Sequence, residues 1–286
     1  MSSLLDINPD EFLSALGRRP LWVSHQLVGH PLLSLEALGA LADCMPPDRI
    51  ERQRTDLDLV LPGGGNRRGG VESPGDLVRG IETSKDWVVL WNVEGDHRYK
   101  ALLDEILDPI ADLLGNREGG MCRREAFIFI SSAASITPVH FDPEHNFLLQ
   151  IHGIKQMHIG EFATVTRGQQ ELERYYIGGH RNIEHMPGAA HVFRLEPGRG
   201  VYVPSHAPHW VTNEGLACVS LSITFHTRAI LRRGNVHVVN YHLRQLGLSP
   251  SPPDRSKVID AVKLAFHHVA RTARNLRKRI AESRRR

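Results

Sequence analysis

Apolar and polar positions change their period twice along this chain. From residue 126 to residue 225 the apolar residues come in short runs broken by Gly, Pro and Asn. That pattern predicts strands at 126–131, 137–142, 146–151, 155–160, 191–195, 200–204, 209–213 and 216–225. Eight short strands with such turns predict a mainly β protein built on a double-stranded β-helix, the jelly-roll barrel. On both sides the period lengthens to that of helices. Tyr99 to Leu114 has apolar residues at 102, 103, 106, 107, 110, 113 and 114, which predicts an amphipathic helix ended by Gly115.

The flanks complete the outline. Asn8 or Asp10 opens a first helix, Leu21–Ser24 reads as a strand, Ser34 caps a helix through Leu41, and Asp86–Trp91 reads as another strand. Downstream, a helix from Val236 to Leu246 stops at Gly247. The Ser/Pro-rich stretch 249–254 breaks the chain, and Asp254 or Ser256 caps a last helix. The expected division is an N-terminal α/β segment over 1–120, the barrel over 121–230, and C-terminal helices with a basic tail over 231–286. Two segments carry open readings. The Gly-rich stretch 62–75 fails both phosphate-loop patterns and reads as a mobile surface loop, with a lid over an active site as the lesser alternative. Region 161–190 is either an insertion shaping a substrate entrance or an ordinary connection between barrel strands.

Composition narrows the class. A hydrophobic fraction of 41% supports a core of ordinary size. The three cysteines (Cys44, Cys122 and Cys218) form no Cys-x-x-Cys. That speaks against a disulfide scaffold or a thiolate zinc site and predicts a reducing, cytoplasmic setting. The N-terminal residues lack the pattern of a signal peptide, and no apolar run reaches the ~20 residues of a membrane span. Charge is divided: residues 254–286 hold 11 Lys/Arg against 3 Asp/Glu, so the net +3 conceals a mildly acidic body with a basic tail.

The chemistry concentrates in Thr137-Pro-Val-His140-Phe-Asp142-Pro-Glu-His-Asn146, followed by a lone Lys155 after an apolar run and the Gly153 turn. On a strand, positions i and i+2 share a face, so His140 and Asp142 can grip one cation together. With 17 His and 15 Asp in 286 residues, one His-x-Asp pair is expected by chance, so the pair alone says little. A third ligand raises its weight. Segment 196–211 reads as turn, strand, turn, then a histidine entering another strand. Two histidines and one carboxylate form the facial triad that leaves positions on Fe(II) open for a chelating co-substrate and O₂. A metal beside a fixed positive charge suggests a dianionic co-substrate.

These residues resemble the JmjC (cupin-like) Fe(II)/2-oxoglutarate oxygenases, most of all the branch with the asparaginyl hydroxylase of hypoxia-inducible factor. The resemblance rests on HFDPEHNFLLQIHGIK (140–155) and PGRGVYVPSHAPHWV (197–211). It implies that His140, Asp142 and His209 are the iron ligands and carry catalysis. The family spacing from the proline of the second segment selects His209 over His206. It further implies that Thr137 and Lys155 hold the distal carboxylate of 2-oxoglutarate, with Asn146 beside its chelating end. The chain departs from its relatives at Ala207-Pro208, where many carry an aromatic pair, and at Thr224, near which the close relative has an asparagine. The early tyrosine of the 2-oxoglutarate site has no counterpart before Phe127.

The resemblance implies oxidation of 2-oxoglutarate to succinate and CO₂ coupled to hydroxylation of a C–H bond, on a protein or peptide side chain. The alternatives are a small-molecule hydroxylase and a non-catalytic metal-binding cupin whose tail binds nucleic acid. Ile259, Val262, Phe266, Val269, Ala273, Leu276 and Ile280 repeat at intervals of 3 and 4. This seam predicts a homodimer through the last helix. Packing of the helix on its own barrel, or nucleic-acid binding by its arginines, are the other readings.

Overall fold

A computed structural model describes residues 3–54, 73–133, 135–188 and 190–283. The Gly-rich stretch 62–75 up to position 72, and the closing Arg284–Arg286, lie outside the described residues. The chain divides into two compact units: Met1–Phe162 with Arg181–Thr227, and Ala163–His180 with Arg228–Arg286.

The first unit begins with β1 (Leu5–Asp6), α1 (Pro9–Ala15), β2 (Leu21–His25) and α2 (Leu35–Cys44). It continues with β3 (Ile50–Arg54), α3 (Pro74–Arg79), β4 (Asp86–Leu90) and α4 (His97–Leu114). Side-chain caps start these helices. Asn8 Oδ1 accepts from Glu11 N at 3.0 Å, and Ser34 Oγ accepts from Ala37 N at 3.2 Å. Helix α4 opens two residues earlier than the apolar pattern indicates, because Asp96 accepts from Arg98 N at 2.8 Å; it closes at Gly115.

Eight further strands follow: β5 (Met121–Ser131), β6 (Ile136–His140), β7 (His145–His152), β8 (Lys155–Ile159), β9 (His191–Leu195), β10 (Arg199–Val203), β11 (His209–Asn213) and β12 (Cys218–Thr227). They correspond one to one with the eight strands read from the sequence. They form two antiparallel sheets. One has the order β6-β11-β8-β9; the other places β10-β7-β12-β5 at its centre, with β1-β2 on one side and β4-β3 on the other. The protein is thus mainly β, a jelly-roll with flanking helices. The N-terminal strands extend the barrel's larger sheet.

Two apolar clusters hold this unit. Leu148, Met157, Leu195, Val201, Val203 and Val211 join the two sheets. On the other side of the larger sheet, Phe12, Leu38 and Ile106 from the helices pack with Phe147 and Phe225. The turn between β7 and β8 depends on Gly153 (φ 72°), where a Cβ would meet the Ala217 carbonyl oxygen at 2.3 Å. Only glycine fits there, and that tight turn fixes Lys155 as the first residue of β8.

The second unit contains α5 (Val165–Tyr176), α6 (Arg228–Gln245) and α7 (Lys257–Ser283). Helix α5 lies within region 161–190, for which the sequence predicts no helix; Thr164 caps it by accepting from Arg167 N at 3.1 Å. Arg244 Nε donates to Glu173 Oε2 at 2.8 Å, and the Tyr176 and His237 rings stack 5.6 Å apart. Ser256, not Asp254, caps α7; Asp254 instead takes Arg232 at 2.8 Å and Arg233. Along α7, Ile259, Val262, Phe266, Val269 and Leu276 are exposed. No helix among the described residues is long and apolar enough to cross a membrane.

Candidate metal centre and co-substrate cavity

Strands β6 and β11 are neighbours, and their register sets His140 opposite His209. The two ring centroids are 4.2 Å apart. Each ring is held by a carbonyl two residues back: His140 Nδ1 bonds Pro138 O at 2.8 Å, and His209 Nδ1 bonds Ala207 O at 2.9 Å. A carbonyl can only accept, so Nδ1 carries the proton and each Nε2 lone pair is free to bind a metal.

Asp142 lies two residues beyond His140, but not within a strand as the spacing predicts, because β6 ends at His140. Residues 181–183 run beside this end and keep it extended. Phe141 N donates to Arg181 O at 3.2 Å, Asn182 bridges His140, and Ile183 N donates to Val139 O at 3.1 Å. Asp142 Oδ2 then stands 3.8 Å from His140 Nε2 and 3.4 Å from His209 Nε2. Ligand atoms of these three residues all lie within 4.8 Å of one another, the one such group among the described residues.

Arg181 completes the cluster. Its Nη1 is 2.5 Å from Asp142 Oδ1, and its guanidinium lies 5.6 Å from the centre of the Trp91 ring. Burial works to raise the Asp142 pKa, but the Arg181 charge, followed by His140, holds the carboxyl well below the usual range. Burial, and next the charge of His209, pushes His140 down to about 3. An ionised carboxylate beside a neutral imidazole is the protonation state that a divalent cation requires. Oxygen and imidazole donors without a thiolate fit Fe(II).

A cavity of about 630 Å³ is lined by this cluster together with Thr137, Asn146 and Lys155. All six residues singled out from the sequence therefore border one space. Lys155 is 4% exposed, and its ammonium has no hydrogen-bond or ion-pair partner among the described residues. Burial pushes its ammonium down to about 8. Asn146 Oδ1 accepts from Ser222 Oγ at 2.9 Å, leaving its amide nitrogen for another partner.

His206 occupies the turn before β11 at φ 65°, and its backbone N donates to Asp142 O at 2.7 Å. It is not part of the metal-holding group. His145 is buried and bonds Tyr202 Oη at 2.7 Å, and His158 stacks on Trp210 at 4.8 Å. Both fill structural positions.

A second chamber of about 220 Å³ shares Trp91, His140, Asp142 and Arg181 with the first and adds Glu125, Phe127, Glu144, Ser222 and Thr224. Burial, and next the Asp142 charge, pushes Glu144 up to about 8; burial also raises Glu125. Sequence reasoning missed Arg181 and both glutamates. The run of residues 174–181 stands out in the sequence, but nothing local links Arg181 to Asp142.

Residues 110–232 match the model of the JmjC domain family. Among solved structures, the chain is similar to YcfD of Escherichia coli, at 17% identity and a TM-score of 0.57 over 94% of this chain and 69% of that one. It is likewise similar to YcfD, a ribosomal oxygenase, in complex with cobalt and 2-oxoglutarate, at 16% identity and a TM-score of 0.54 over 94% and 68%. A complex of YcfD with cobalt and succinic acid gives the same identity, TM-score and coverage as the 2-oxoglutarate complex: 16%, 0.54, and 94% and 68%. At such identities the likeness is one of fold. No curated protein matches the chain by sequence.

Proposed function

We propose that the chain, whose residues 110–232 match the JmjC domain family, is a JmjC (cupin-like) 2-oxoglutarate-dependent oxygenase that hydroxylates a C–H bond on a protein or peptide side chain. Lys155 carries this reading: a buried ammonium without an anion of its own, lining the same cavity as His140, Asp142 and His209. An unpaired buried charge is costly, and a dianionic acid bound beside a metal offsets that cost.

In this reading His140 Nε2, His209 Nε2 and Asp142 Oδ2 hold Fe(II), and Arg181 keeps the other Asp142 oxygen in place. Lys155, with the Thr137 hydroxyl, binds the distal carboxylate of 2-oxoglutarate by charge-assisted bonds. Asn146, its oxygen engaged by Ser222, presents its amide nitrogen to the near end. Fe(II), 2-oxoglutarate and O₂ together supply the oxidation, yielding succinate and CO₂ as a C–H bond becomes C–OH. The apolar cluster behind Lys155 keeps water from that end of the cavity.

The fold-level likeness to a ribosomal oxygenase supports a protein substrate over a small metabolite. A non-catalytic cupin would need neither an anchoring lysine nor open metal positions. The exposed apolar residues of α7 support a homodimer through that helix. Succinate release from 2-oxoglutarate with Fe(II), measured with and without candidate peptides, tests the reaction. A peptide that gains the mass of one oxygen atom identifies the substrate; absence of both signals with every peptide and small acceptor tried refutes the activity.

A further inference from the structure

Two tryptophans from β4 and its end line the larger cavity, and they differ in one respect. Trp91 Nε1 donates to Glu51 Oε2 at 3.1 Å. Trp87 is 7% exposed, and its Nε1 has no hydrogen-bond partner among the described residues. Phe129 stacks on the Trp87 ring, with centroids 6.0 Å apart and 15° between the planes. A buried indole N–H usually has an acceptor, and it can only donate. An unpaired one on a cavity wall is a place for a ligand oxygen.

Strand register sets this indole toward the end of the cavity away from the metal-holding cluster. Trp87 stands opposite Ser131 on β5. Ser131 Oγ accepts from Asn213 Nδ2 at 2.9 Å, and Asn213 stands opposite Lys155. Asn213 N also donates to Ser135 O at 3.0 Å, two residues before Thr137. His209 opens the same strand that Asn213 closes, about 13 Å of extended chain away. The Lys155 ammonium, the other donor of this cavity without an acceptor, therefore shares an end with Trp87. Phe129, Leu148, Met157 and Val211 line the cavity as well and bring no side-chain oxygen to meet either donor.

We propose that Trp87 is a further binding residue for the co-substrate, its Nε1–H donating to the distal carboxylate that Lys155 and Thr137 hold. The inference rests on the oxygenase reading and adds to it a residue that selects the acid. An ionised carboxylate only accepts and has about four lone-pair sites, so an ammonium, a hydroxyl and an indole N–H can share it. A 2-oxo acid ending in a methyl group leaves both orphan donors unpaired, and the site disfavours it for that reason.

The test uses the full chain loaded with Zn(II), which allows binding without turnover. 2-Oxoglutarate and 2-oxopentanoate, which carries a methyl group in place of the distal carboxylate, are titrated by calorimetry into the wild type and Trp87→Phe. The variant is expected to bind 2-oxoglutarate about tenfold to a hundredfold more weakly and 2-oxopentanoate as the wild type does. That split separates a lost bond from a disturbed cavity, which weakens both acids alike. In protein made with isotope-labelled tryptophan, the indole N–H resonance missing from Trp87→Phe should move downfield with 2-oxoglutarate and stay in place with 2-oxopentanoate. Equal 2-oxoglutarate binding by both proteins, an equal loss with both acids, or an indole resonance that ignores 2-oxoglutarate overturns the assignment. If Trp87→Phe fails to fold, Trp22→Phe, Trp91→Phe and Trp210→Phe identify the Trp87 resonance by elimination, and its response in the wild type decides. A wild type that binds 2-oxoglutarate no better than Trp87→Phe sinks this assignment alone. A wild type that binds no 2-oxoglutarate sinks the oxygenase reading with it.

Discussion

Asp142 divides its two oxygens, Oδ1 to Arg181 at 2.5 Å and Oδ2 to the histidines, with His209 Nε2 at 3.4 Å. The guanidinium thus does for the empty site part of what a cation does for the filled one. Removing it leaves a buried carboxylate without full compensation. Arg181 is 36% exposed, so water absorbs part of the loss, and Arg181→Ala is expected to cost the metal-free protein about 1–3 kcal/mol. Added Mn(II) should then raise the melting temperature of the variant more than that of the wild type. An equal rise in both proteins contradicts the arrangement.

Lys155 gives a prediction with a pH signature. Its ammonium is pushed down to about 8 from an ordinary 10.5. Between those values the unfolded chain holds a proton that the folded protein has lost, so stability of the empty protein rises with pH across that window. Below about pH 8 the full cost of the buried charge is present. Lys155→Met should therefore stabilise the empty protein by about 3 kcal/mol near pH 7 and abolish the rise, as read from denaturant melts.

The same lysine should control the co-substrate. Lys155→Ala is expected to weaken 2-oxoglutarate binding by ~30-fold to ~1000-fold, the worth of a lost charge-assisted bond and an unpaired carboxylate. Metal content should be unchanged. In the wild type, affinity should fall above about pH 8 as the ammonium loses its proton, whereas Lys155→Arg should show no such fall. A flat wild-type profile would mean another residue holds the distal carboxylate.

His209→Ala and His206→Ala should separate cleanly. The first removes an Nε2 donor aimed at Asp142 and should lose bound metal and 2-oxoglutarate turnover, as should His140→Ala and Asp142→Ala. The second alters a turn residue outside the metal-holding group and should retain both. Metal analysis of the purified variants decides.

For assembly, Val262 and Phe266 are 66% and 63% exposed on α7. Val262→Glu with Phe266→Glu should convert a dimer to a monomer in light scattering, with the melting temperature little changed. A wild-type chain that is already monomeric removes the case for dimerisation through this helix.

The barrel was legible because its strands are short apolar runs set between turn residues, and Gly153 marks one such turn unambiguously. What escaped has non-local causes. Strand β3 reads Ile-Glu-Arg-Gln-Arg, too charged to look like a strand; it is held by pairing with β4, including the Arg52–Asp86 ion pair at 2.9 Å. Helix α5 buries Glu171 and Glu173, which a periodicity reading counts as solvent-facing; Arg244 makes the burial of Glu173 tolerable. All six residues picked for the site border one cavity: five sit on strands, where spacing fixes their faces, and Asp142 follows the end of β6, held extended by residues 181–183. Arg181, Glu125 and Glu144 acquire their surroundings only through strand register and a connection that returns from far along the chain.

The short strip 181–183 has a consequence of another kind. It delivers Arg181 to Asp142 while lying beside Val139 and His140, and Asn182 also borders the larger cavity. One peptide stretch therefore both lines the cavity and braces the carboxylate of the proposed metal triad. Drift in this stretch alters the cavity wall and the hold on the Asp142 carboxylate together, so a change in specificity and a change in metal affinity are expected to be inherited as one trait in this chain's lineage.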